Sequence, residues 1–485
     1  MSFFKAYDMR GTFGVDFDLA TVRKVGRALP KVVGGGRWLV GRDCRTTSKD
    51  VRDALVAGLT EAGAQVTDIG LSTTPMVYFF TAEDGYDGSV MITASHNPPT
   101  DNGLKVSMKT ALPVGYANGL NEVEKLVRRS TPGDPGALPA FRKAEEGEAS
   151  AEYSDPSAIR RYLEWMRARN PRLPTLDSRL RFAVDCSNGM ASLLAHELFP
   201  DAVVINDTLD GTFPNHSPNP LKAESREQIA AIVRERGLDC GVIFDGDADR
   251  AMFVDERGEF VQPDYLVPIV AKATVETNGE CGTGGGGSKA GKRRVIHDVR
   301  TSRGAIETLR ESGFEPVMVP VGHAFAKPIL RETGALCGGE LAGHYYFREF
   351  HGCDSGVLAA IRVLAGFQRW REEAGGGRNS FSEMMKPIVS RYANSGELNF
   401  RVEDKDRAIE RVLAVAAAKL PREVARSTMD GIRIEYADGW INIRKSNTEP
   451  YLRLIAECRE PAVLDAWLGL LKAAIEGGVQ EGARE

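Results

Sequence analysis

The stretch "RWLVGRDCRTTSKDVRDALVAGLTEAGAQVTDIG", residues 37–70, indicates the fold of this chain. It begins with a short apolar run, continues through a polar loop and then places apolar residues at helical spacing before a second apolar run. A change from a continuous apolar run to helical spacing is typical of a strand followed by a helix. The stretch therefore predicts a strand–helix–strand unit of an α/β domain.

The same plan occurs twice more along the chain. It recurs in "LRFAVDCSNGMASLLAHELFPDAVVIN", residues 180–206, and in "RRVIHDVRTSRGAIETLRESGFEPVMVPVG", residues 293–322. In each copy an aspartate closes the first strand, and these aspartates are Asp43, Asp185 and Asp298. Three related α/β domains are the simplest interpretation of the repeat.

The last part of the chain follows a different pattern. The segments "SGELNFRV", "GIRIEYADGWINIRKS" and "YLRLIAEC" alternate apolar and polar residues, and a helical stretch separates the first two. Such alternation is typical of an antiparallel sheet that packs one face against helices. The predicted fold class is therefore α/β, with three related mixed-sheet domains and a fourth α+β domain that combines an antiparallel sheet with helices.

Segments rich in residues typical of linkers mark the predicted domain boundaries. Pro, Gly, Ala and Glu are concentrated in residues 129–157, and "AGGGRN" occupies residues 374–379. The predicted domains are residues 1–152, 153–260, 261–373 and 374–485. A glycine-rich segment at residues 281–291 is expected to be a flexible insertion, because four consecutive glycines cannot offset their ordering entropy.

Composition excludes several classes of protein. A chain of 485 residues exceeds the roughly 250 to 300 residues that one hydrophobic core supports. The formal charge of −5 leaves no broad basic face for nucleic acid and no polybasic segment for a membrane. Seven cysteines are scattered without a CxxC pair, and neither a signal peptide nor an apolar run of about 18 residues is found. We expect a soluble cytoplasmic protein without a nucleic-acid or membrane partner.

A cluster of acids follows an apolar strand in "VIFDGDADR", residues 242–250. In an extended loop, the alternate spacing of Asp245, Asp247 and Asp249 turns three carboxylates to one side, as a hard divalent cation requires. Mg²⁺ is the expected ion. An EF-hand loop would also place acids here, but Arg250 stands where its glycine belongs and no helix precedes. A solvated acidic turn is the remaining structural alternative.

A second apolar strand ends in a polar elbow in "VMITASHNP", residues 90–98. Ser95 offers a hydroxyl group there, and His96 offers an imidazole beside it. A serine that reacts needs a base or a metal-polarised partner, and a phosphoserine needs positive charge around it. An ordinary turn stabilised by the hydroxyl is the structural alternative. Together with a metal loop, the elbow predicts a phosphoryl-transfer site.

Two further loops carry groups that bind sugars and phosphates. In "GGELAGHYYF", residues 338–347, Glu340 and His344 could hold sugar hydroxyls or move protons. The stretch "IRKSNTEPYLR", residues 443–453, could form an anion-binding nest. Its candidate residues are Arg444, Ser446, Asn447, Thr448 and Arg453. The alternative is a tight turn with incidental polar residues for the first loop and a hairpin with capping hydroxyl groups for the second.

These four loops, in this order, resemble those of the α-D-phosphohexomutases, within them the phosphomannomutase/phosphoglucomutase branch. That family has a phosphoserine loop T-[AG]-S-H-N-P, a metal loop D-G-D-[AG]-D-R, a sugar loop G-E-x-[SA]-G-H and a phosphate loop R-x-S-N-T-x-P. The segments "FKAYDMRG", "DGTFPNHSPNP" and "VGHAF" also resemble it. The resemblance spans nearly the whole chain and implies four domains around a central cleft.

The resemblance also implies roles for individual residues. Ser95 would be the phosphoserine, and a phosphate oxygen on it would complete the Mg²⁺ site. The expected metal site is Ser95, Asp245, Asp247 and Asp249. The candidate catalytic residues are Ser95, His96, Lys105, Arg250 and His344. Among them, the resemblance implies His96, Lys105 and His344 for proton transfer. The candidates for substrate binding are Tyr7, Arg10, Lys327, Glu340, Arg444, Ser446, Asn447, Thr448 and Arg453.

The activity that the resemblance implies is interconversion of hexose 1-phosphate and hexose 6-phosphate, with mannose, glucose or both as the sugar. The reaction would pass through the phosphoserine and a hexose 1,6-bisphosphate, which would also be the activator. A phosphoglucosamine mutase is one alternative, although that group typically has glycine where this chain has Asn447. A metal-dependent sugar phosphatase is another. A non-catalytic binding protein would need neither Ser95 nor Lys105.

Overall fold

A computed structural model describes most of the chain. It covers residues 3–129, 155–173, 176, 180–277, 293–377, 379–446 and 450–477. The glycine-rich segment at residues 281–291 lies outside the described residues, and so do Asn447 and Thr448 of the predicted phosphate loop. Among the described helices, none is both long enough and apolar enough to cross a membrane.

A mixed β-sheet and four α-helices form the first unit of the fold. Its strands are β1 (Met9–Thr12), β2 (Arg37–Arg42), β3 (Gln65–Leu71), β4 (Gly88–Ile92), β5 (Asp101–Met108) and β6 (Leu112–Pro113). Its α-helices are α1 (Leu19–Val33), α2 (Ser48–Glu61), α3 (Thr74–Glu83) and α4 (Leu120–Arg129), with 3-10 turns at Lys109–Ala111 and Tyr116–Asn118. Strand β2 is parallel to β3 and β4, and β5 is antiparallel to β4. Residues 37–70 thus form β2, α2 and β3, as predicted.

The second unit repeats this plan. Its strands are β7 (Phe182–Asp185), β8 (Val203–Ile205), β9 (Cys240–Phe244), β10 (Ala251–Asp255) and β11 (Phe260–Val261). Its α-helices are α5 (Pro156–Ala168), α6 (Ala195–Leu198) and α7 (Ala223–Arg236), with a 3-10 turn at Met190–Leu193. Strand β7 is parallel to β8 and β9, and the antiparallel strand β10 extends the sheet beyond β9.

The third unit has the same arrangement. Its strands are β12 (Arg293–Asp298), β13 (Phe314–Val319), β14 (Cys337–Gly339), β15 (Tyr345–Phe347) and β16 (Cys353–Asp354). Its helical elements are α8 (Val267–Thr277), α9 (Arg303–Glu311), α10 (His323–Thr333) and α11 (Gly356–Glu373), with 3-10 turns at Pro263–Leu266 and Arg348–Phe350. Strand β12 is parallel to β13 and β14, and β15 is antiparallel to β14.

The fourth unit is built differently. Its strands are β17 (Ala393–Asn394), β18 (Leu398–Phe400), β19 (Ala425–Ser427), β20 (Ile432–Glu435), β21 (Gly439–Lys445) and β22 (Leu452–Cys458). The remaining helices are α12 (Phe381–Val389), which precedes these strands, α13 (Lys405–Lys419) and α14 (Pro461–Glu476). All pairings among these six strands are antiparallel. The predicted fold class, three mixed-sheet α/β units and one antiparallel α+β unit, is confirmed.

The repeated aspartates stabilise the loops that leave the central strands. The Oδ1 atoms of Asp43, Asp185 and Asp298 each accept a hydrogen bond from the backbone N–H two residues further on, at 3.0, 2.8 and 2.7 Å. This Asx turn replaces the strand pairing that the backbone loses where the sheet ends. The aspartates therefore have a structural role that is the same in all three α/β units.

An aromatic cluster joins the first three units. Phe79 on α3 packs against Trp165 on α5, with ring centroids 5.5 Å apart, and Trp165 packs against Phe350, 5.4 Å away. Phe79 and Phe350 also stack on each other. Helix α12, which follows the boundary predicted at residue 374, buries Phe381 in the same hydrophobic core. The contacts join α3, α5 and the 3-10 turn at Arg348–Phe350, which belong to three different units. The exact domain boundaries stay predictions.

Candidate active site

The predicted metal loop connects β9 to β10. Asp245, Asp247 and Asp249 are almost completely buried, and each offers a carboxylate oxygen within 4.8 Å of the other two. Ala248 adopts a left-handed backbone conformation, with φ of 61°, between the second and third aspartates. The loop thus brings three carboxylates together inside the protein. A solvated acidic turn would instead expose them to water.

Lys105 on β5 provides the nearest positive charge. Its Nζ donates to Asp247 Oδ2 at 2.6 Å and to Asp249 Oδ2 at 2.5 Å. Burial lowers the pKa of Lys105, but Asp247 and Asp249 raise this pKa by more, so the ammonium keeps its proton. Burial, together with Asp249 and Asp247, raises the pKa of Asp245 well above its usual value. Arg250 adds a second cation to the loop, with its Nε 3.7 Å from Asp245 Oδ2 and 3.9 Å from Asp249 Oδ1.

The aspartates fit a hard divalent cation. Asp247 Oδ1 and Asp249 Oδ1 are buried, and neither accepts a hydrogen bond from the part of the chain that the structure describes. A buried carboxylate oxygen without a donor is costly unless a cation or water satisfies it. Oxygen ligands are those that Mg²⁺ prefers. The residues present therefore suit the Mg²⁺ expected at this loop.

Ser95 lies directly against the metal loop. Its Oγ donates to Asp245 Oδ2 at 2.8 Å and lies 3.2 Å from His96 Nδ1. Ser95 is buried and left-handed, with φ of 52°, a conformation that costs a non-glycine residue about 1 kcal/mol or more. A Cβ on Gly246 would come within 2.6 Å of the Ser95 carbonyl oxygen, so only glycine allows the two loops to approach this closely.

Arg45 binds the backbone of the loop that carries Ser95, residues 93–98, which we call the serine loop. The sequence did not predict this role. Its guanidinium donates to the carbonyl oxygens of Ser95 at 2.9 Å, Asn97 at 2.7 Å and Asp101 at 2.8 Å. Arg45 Nε also pairs with Asp43 Oδ2 at 3.1 Å. The signal that could have indicated this role is the Asp-x-Arg spacing, which occurs in two of the three repeats.

His96 is the neutral group next to Ser95. Burial lowers the pKa of His96 well below its usual value, and the positive charges of Arg250 and Arg10 lower it further. An imidazole in this environment is unprotonated at neutral pH and can exchange a proton with a neighbouring oxygen.

His344 approaches the same loop from the third unit. Arg250 Nε donates to His344 Nε2 at 3.0 Å, which leaves the ring proton on Nδ1, and this N–H lies 2.7 Å from Asp354 Oδ2. Asp354 thereby fixes the tautomer and orientation of His344. Sequence reasoning missed Asp354, because the two residues meet only when β16 folds back beside β15.

Lys327 lies behind His344. It is fully buried on α10, with its ammonium 2.7 Å from Asp354 Oδ1 and 3.5 Å from the ring centroid of Tyr78. These contacts support the histidine through Asp354, and the role of Lys327 as a direct substrate ligand stays a prediction.

We expect Asp354→Asn to lower the free energy of unfolding by about 3 kcal/mol, because Lys327 would stay buried without its counter-ion. Denaturant unfolding monitored by fluorescence measures the change. The matched control is Asp84→Asn, which removes the more exposed pair that Asp84 makes with Arg161 at 2.7 Å and should cost less than about 1 kcal/mol. Equal decreases in the free energy of unfolding would show that the buried pair stabilises the fold no more than the exposed pair does.

The N-terminal candidates, Tyr7 and Arg10, contact the loop of Ser95 and the third unit. Arg10 donates to Asp8 Oδ2 at 2.6 Å and to Asn97 Oδ1 at 3.0 Å, and this places its guanidinium beside the serine loop. Tyr7 donates its hydroxyl to the carbonyl of Val321 at 3.3 Å. The first unit therefore reaches both the serine loop and the third unit.

Glu340 is the carboxylate of the predicted sugar loop. Burial raises its pKa, although His344 opposes this shift. Its Oε1 accepts from the backbone N–H of Gly322 at 3.0 Å and from the Tyr346 hydroxyl at 3.1 Å. These contacts hold Oε1 of Glu340 in place at the start of α10.

The predicted phosphate loop lies between β21 and β22. Arg444, at its start, is buried, and the backbone N–H of Ser446 donates to the carbonyl of Tyr451 at 2.9 Å. Arg453 stands opposite Arg444 in the strand register. Asn447 and Thr448 lie outside the described residues, so their roles stay predictions.

Four family models match successive parts of the chain. Phosphoglucomutase/phosphomannomutase alpha/beta/alpha domains I, II and III match residues 1–133, 160–258 and 262–392. The C-terminal domain of the same family matches residues 397–469. The order of the matches is that of the four units described above.

Individual proteins match over nearly the full length. A phosphomannomutase from Escherichia coli is 33% identical over 472 residues, which cover 95% of this chain and 96% of that protein. A protein described as "Phosphohexose mutases" from Xanthomonas campestris is 34% identical over 465 residues, covering 95% and 96%. The crystal structure of a phosphoglucomutase/phosphomannomutase family protein from Burkholderia thailandensis superposes with a TM-score of 0.77 at 27% identity, covering 99% of this chain and 98% of that one.

Proposed function

The chain belongs to the phosphoglucomutase/phosphomannomutase family of phosphotransferases, and on that premise we propose that it interconverts hexose 1-phosphate and hexose 6-phosphate. The observation that carries the proposal is the 2.8 Å contact between Ser95 Oγ and Asp245 of the buried acidic triad. A hydroxyl group beside three convergent carboxylates, with basic groups around them, suits a phosphoserine that exchanges its phosphoryl group.

Ser95, Asp245, Asp247 and Asp249 would hold Mg²⁺ in this proposal, the serine through an oxygen of its phosphoryl group. Bound Mg²⁺ supplies Lewis-acid neutralisation of the negative charge on the transferred group. Lys105, Arg250 and Arg10 add fixed positive charge around the same point. The transition state of phosphoryl transfer is largely dissociative, so positioning and charge neutralisation are the main contributions of the protein.

The proposed reaction has two transfers. In the first, the bond between Ser95 Oγ and phosphorus breaks as a free hydroxyl of the hexose monophosphate forms its own bond to phosphorus, giving the 1,6-bisphosphate. The hydroxyl proton passes to a neighbouring base, for which the neutral His96 and the oriented His344 are the candidates. In the second, the bisphosphate has turned end over end, and its other phosphoryl group returns to Ser95 while the proton is given back.

The substrate has to bind in two orientations. Glu340 and Tyr7 would hold the sugar, and hydroxyl and amide groups would hold whichever phosphate is not reacting. The residues proposed for that phosphate are Arg444, Ser446, Asn447, Thr448 and Arg453. A nest of this type favours neither orientation, because it recognises the phosphate and not one face of the sugar. Closure of the fourth unit over the cleft would exclude water and prevent simple hydrolysis.

We further propose mannose phosphates as substrates, because several similar proteins are named phosphomannomutase, with glucose phosphates as the second sugar to test. A hexose 1,6-bisphosphate would act as the activator, since it can phosphorylate Ser95. We place the protein in the cytoplasm, a reducing compartment in which the six described cysteines, all buried free thiols, are stable.

The test is conversion of mannose 1-phosphate and glucose 1-phosphate to their 6-phosphates, with Mg²⁺ and a trace of glucose 1,6-bisphosphate. Isomerisation is expected for both sugars, with the higher kcat/KM for mannose. The ratio of the two kcat/KM values gives the sugar preference. Release of inorganic phosphate without isomerisation would replace the proposal with a sugar phosphatase.

A further inference from the structure

A carboxylate lies among three guanidinium groups where the third and fourth units meet. Glu397 is in the connection between β17 and β18. Its Oε1 accepts from Arg444 at 2.8 Å and from Arg300 at 3.3 Å, and its Oε2 accepts from Arg453 at 3.0 Å. Burial raises the pKa of Glu397, but the three arginines lower it by more, to about 2. One ionised side chain thus joins arginines from two units.

Two of these arginines would repel each other without Glu397. Arg444 on β21 and Arg453 on β22 are directly opposed in the antiparallel register, so their side chains share one face of the sheet. Like charges in such a pair destabilise a sheet, and more so when burial removes solvent. Glu397 gives one carboxylate oxygen to each arginine and holds both beside the start of the predicted phosphate loop.

The backbone around Glu397 is fixed independently of the arginines. Gly396 is left-handed, with φ of 63°, and its N–H donates to Asn394 Oδ1 at 2.8 Å. Ser395 donates its N–H to the carbonyl of Ala456 at 3.0 Å, and its hydroxyl accepts from the Ala456 N–H at 2.9 Å. The fold therefore sets the position of the carboxylate, and the carboxylate sets the position of the guanidinium groups.

The same cluster reaches the sugar loop. Arg300 donates to Asp298 Oδ2 at 2.6 Å, and this oxygen also accepts from the backbone N–H of Leu341 at 3.2 Å. Leu341 follows Glu340 in the chain. A continuous series of ionic and hydrogen-bonding contacts therefore runs from the arginines of the phosphate loop to the backbone of the sugar loop. Three guanidinium groups and two carboxylates leave the cluster with one net positive charge, which an incoming phosphate can neutralise.

We infer that Glu397 is a positioning residue, which holds Arg444 and Arg453 ready for the non-reacting phosphate and sets the distance from that phosphate to the sugar loop. The inference deepens the proposed function and rests on it, because the proposed function assigns these two arginines to the phosphate. A carboxylate that merely competed with phosphate for the arginines would have the opposite effect on binding.

The test uses the full chain and mannose 6-phosphate as the probe. We expect Glu397→Gln to raise the Kd from isothermal titration calorimetry about tenfold or more, because the arginines lose their charged anchor. KM should rise by a similar factor while kcat changes less than about threefold, since the reacting group lies at the other end of the substrate. Glu397→Asp keeps the charge and should bind within about threefold of the wild type. Thermal unfolding confirms that each variant is folded.

The matched control is Glu435→Gln. Glu435 lies at the same junction and pairs with Arg433 at 2.6 Å and with Arg303, neither of which is a candidate phosphate ligand. The Kd of the Glu435→Gln variant for mannose 6-phosphate should stay within about twofold of the wild-type value. An equal rise in Kd in the two variants would show that Glu397 only joins the two units, and it would overturn the inference. An unchanged or lower Kd for Glu397→Gln would also overturn it.

The outcomes also separate this inference from the proposed function. Binding of mannose 6-phosphate without isomerisation by the wild type would defeat the proposed function, yet the comparison of Kd values would still decide the role of Glu397. Normal isomerisation by the wild type, together with unaltered binding by Glu397→Gln, would defeat the inference alone. A wild type that does not bind mannose 6-phosphate would overturn both.

Discussion

Ser95→Ala is expected to lower the rate of mannose 1-phosphate isomerisation about 10⁴-fold or more, because the variant has no oxygen that could carry the phosphoryl group. The loss should appear in kcat, since the phosphate and sugar contacts that determine substrate binding stay in place. A coupled assay of mannose 6-phosphate formation measures the rate. Incubation with glucose 1,6-bisphosphate should phosphorylate the wild type and not the variant, as intact-protein mass spectrometry would show.

Ser89→Ala is the control for this variant. Ser89 is a buried serine on β4, the strand that precedes the loop of Ser95, and its hydroxyl accepts a hydrogen bond from the hydroxyl of Thr81 at 2.7 Å. The control should isomerise mannose 1-phosphate at nearly the wild-type rate. Residual isomerisation by Ser95→Ala at the level of the control would mean that another residue accepts the phosphoryl group.

Removal of divalent cations is the second change with a large expected effect. Chelation should lower isomerisation about 10³-fold, a loss of several kcal/mol of charge stabilisation, and added Mg²⁺ should restore it. Mg²⁺ should also raise the midpoint of thermal unfolding, because an ion at 100 times its Kd stabilises the folded state by about 2.7 kcal/mol. Asp247→Asn should abolish this thermal shift, since Asp247 supplies one of the two buried oxygens of the acidic triad that accept no hydrogen bond from the described residues.

Asp210→Asn is the control for the metal experiment. Asp210 belongs to the same unit, but its carboxylate accepts from the backbone N–H and hydroxyl of Thr212 at 2.8 and 2.6 Å and takes no part in the triad. This variant should keep the full thermal shift with Mg²⁺. A shift that survives in Asp247→Asn and disappears in Asp210→Asn would place the ion elsewhere.

Local patterns were sufficient to predict the class of the fold. The change from apolar run to helical spacing after Arg37 lies within one strand–helix–strand segment, and the alternation after Gly439 lies within one hairpin. Each pattern reports contacts between residues that are close in the chain, so the sequence carries the information directly. The metal and serine loops could be predicted for the same reason, since each is a single short motif.

Contacts between distant segments could not be predicted in this way. Asp354 orients His344, and Arg45 binds the serine loop. The local sequence around Asp354 or Arg45 does not indicate which residue it contacts. Lys327 shows the same limit. Its burial against Asp354 and Tyr78 depends on how the first and third units pack.

The Asx turn that recurs in the three α/β units places one residue of each unit against a different part of the protein. The residue two positions after each aspartate supports a neighbouring functional loop: Arg45 binds the serine loop, Ser187 donates to the carbonyl of Phe244 just before the metal loop, and Arg300 binds Glu397. The same backbone turn therefore serves three different contacts. The turn itself depends only on the aspartate and a backbone N–H, so the side chain two positions further on is free to differ between the units.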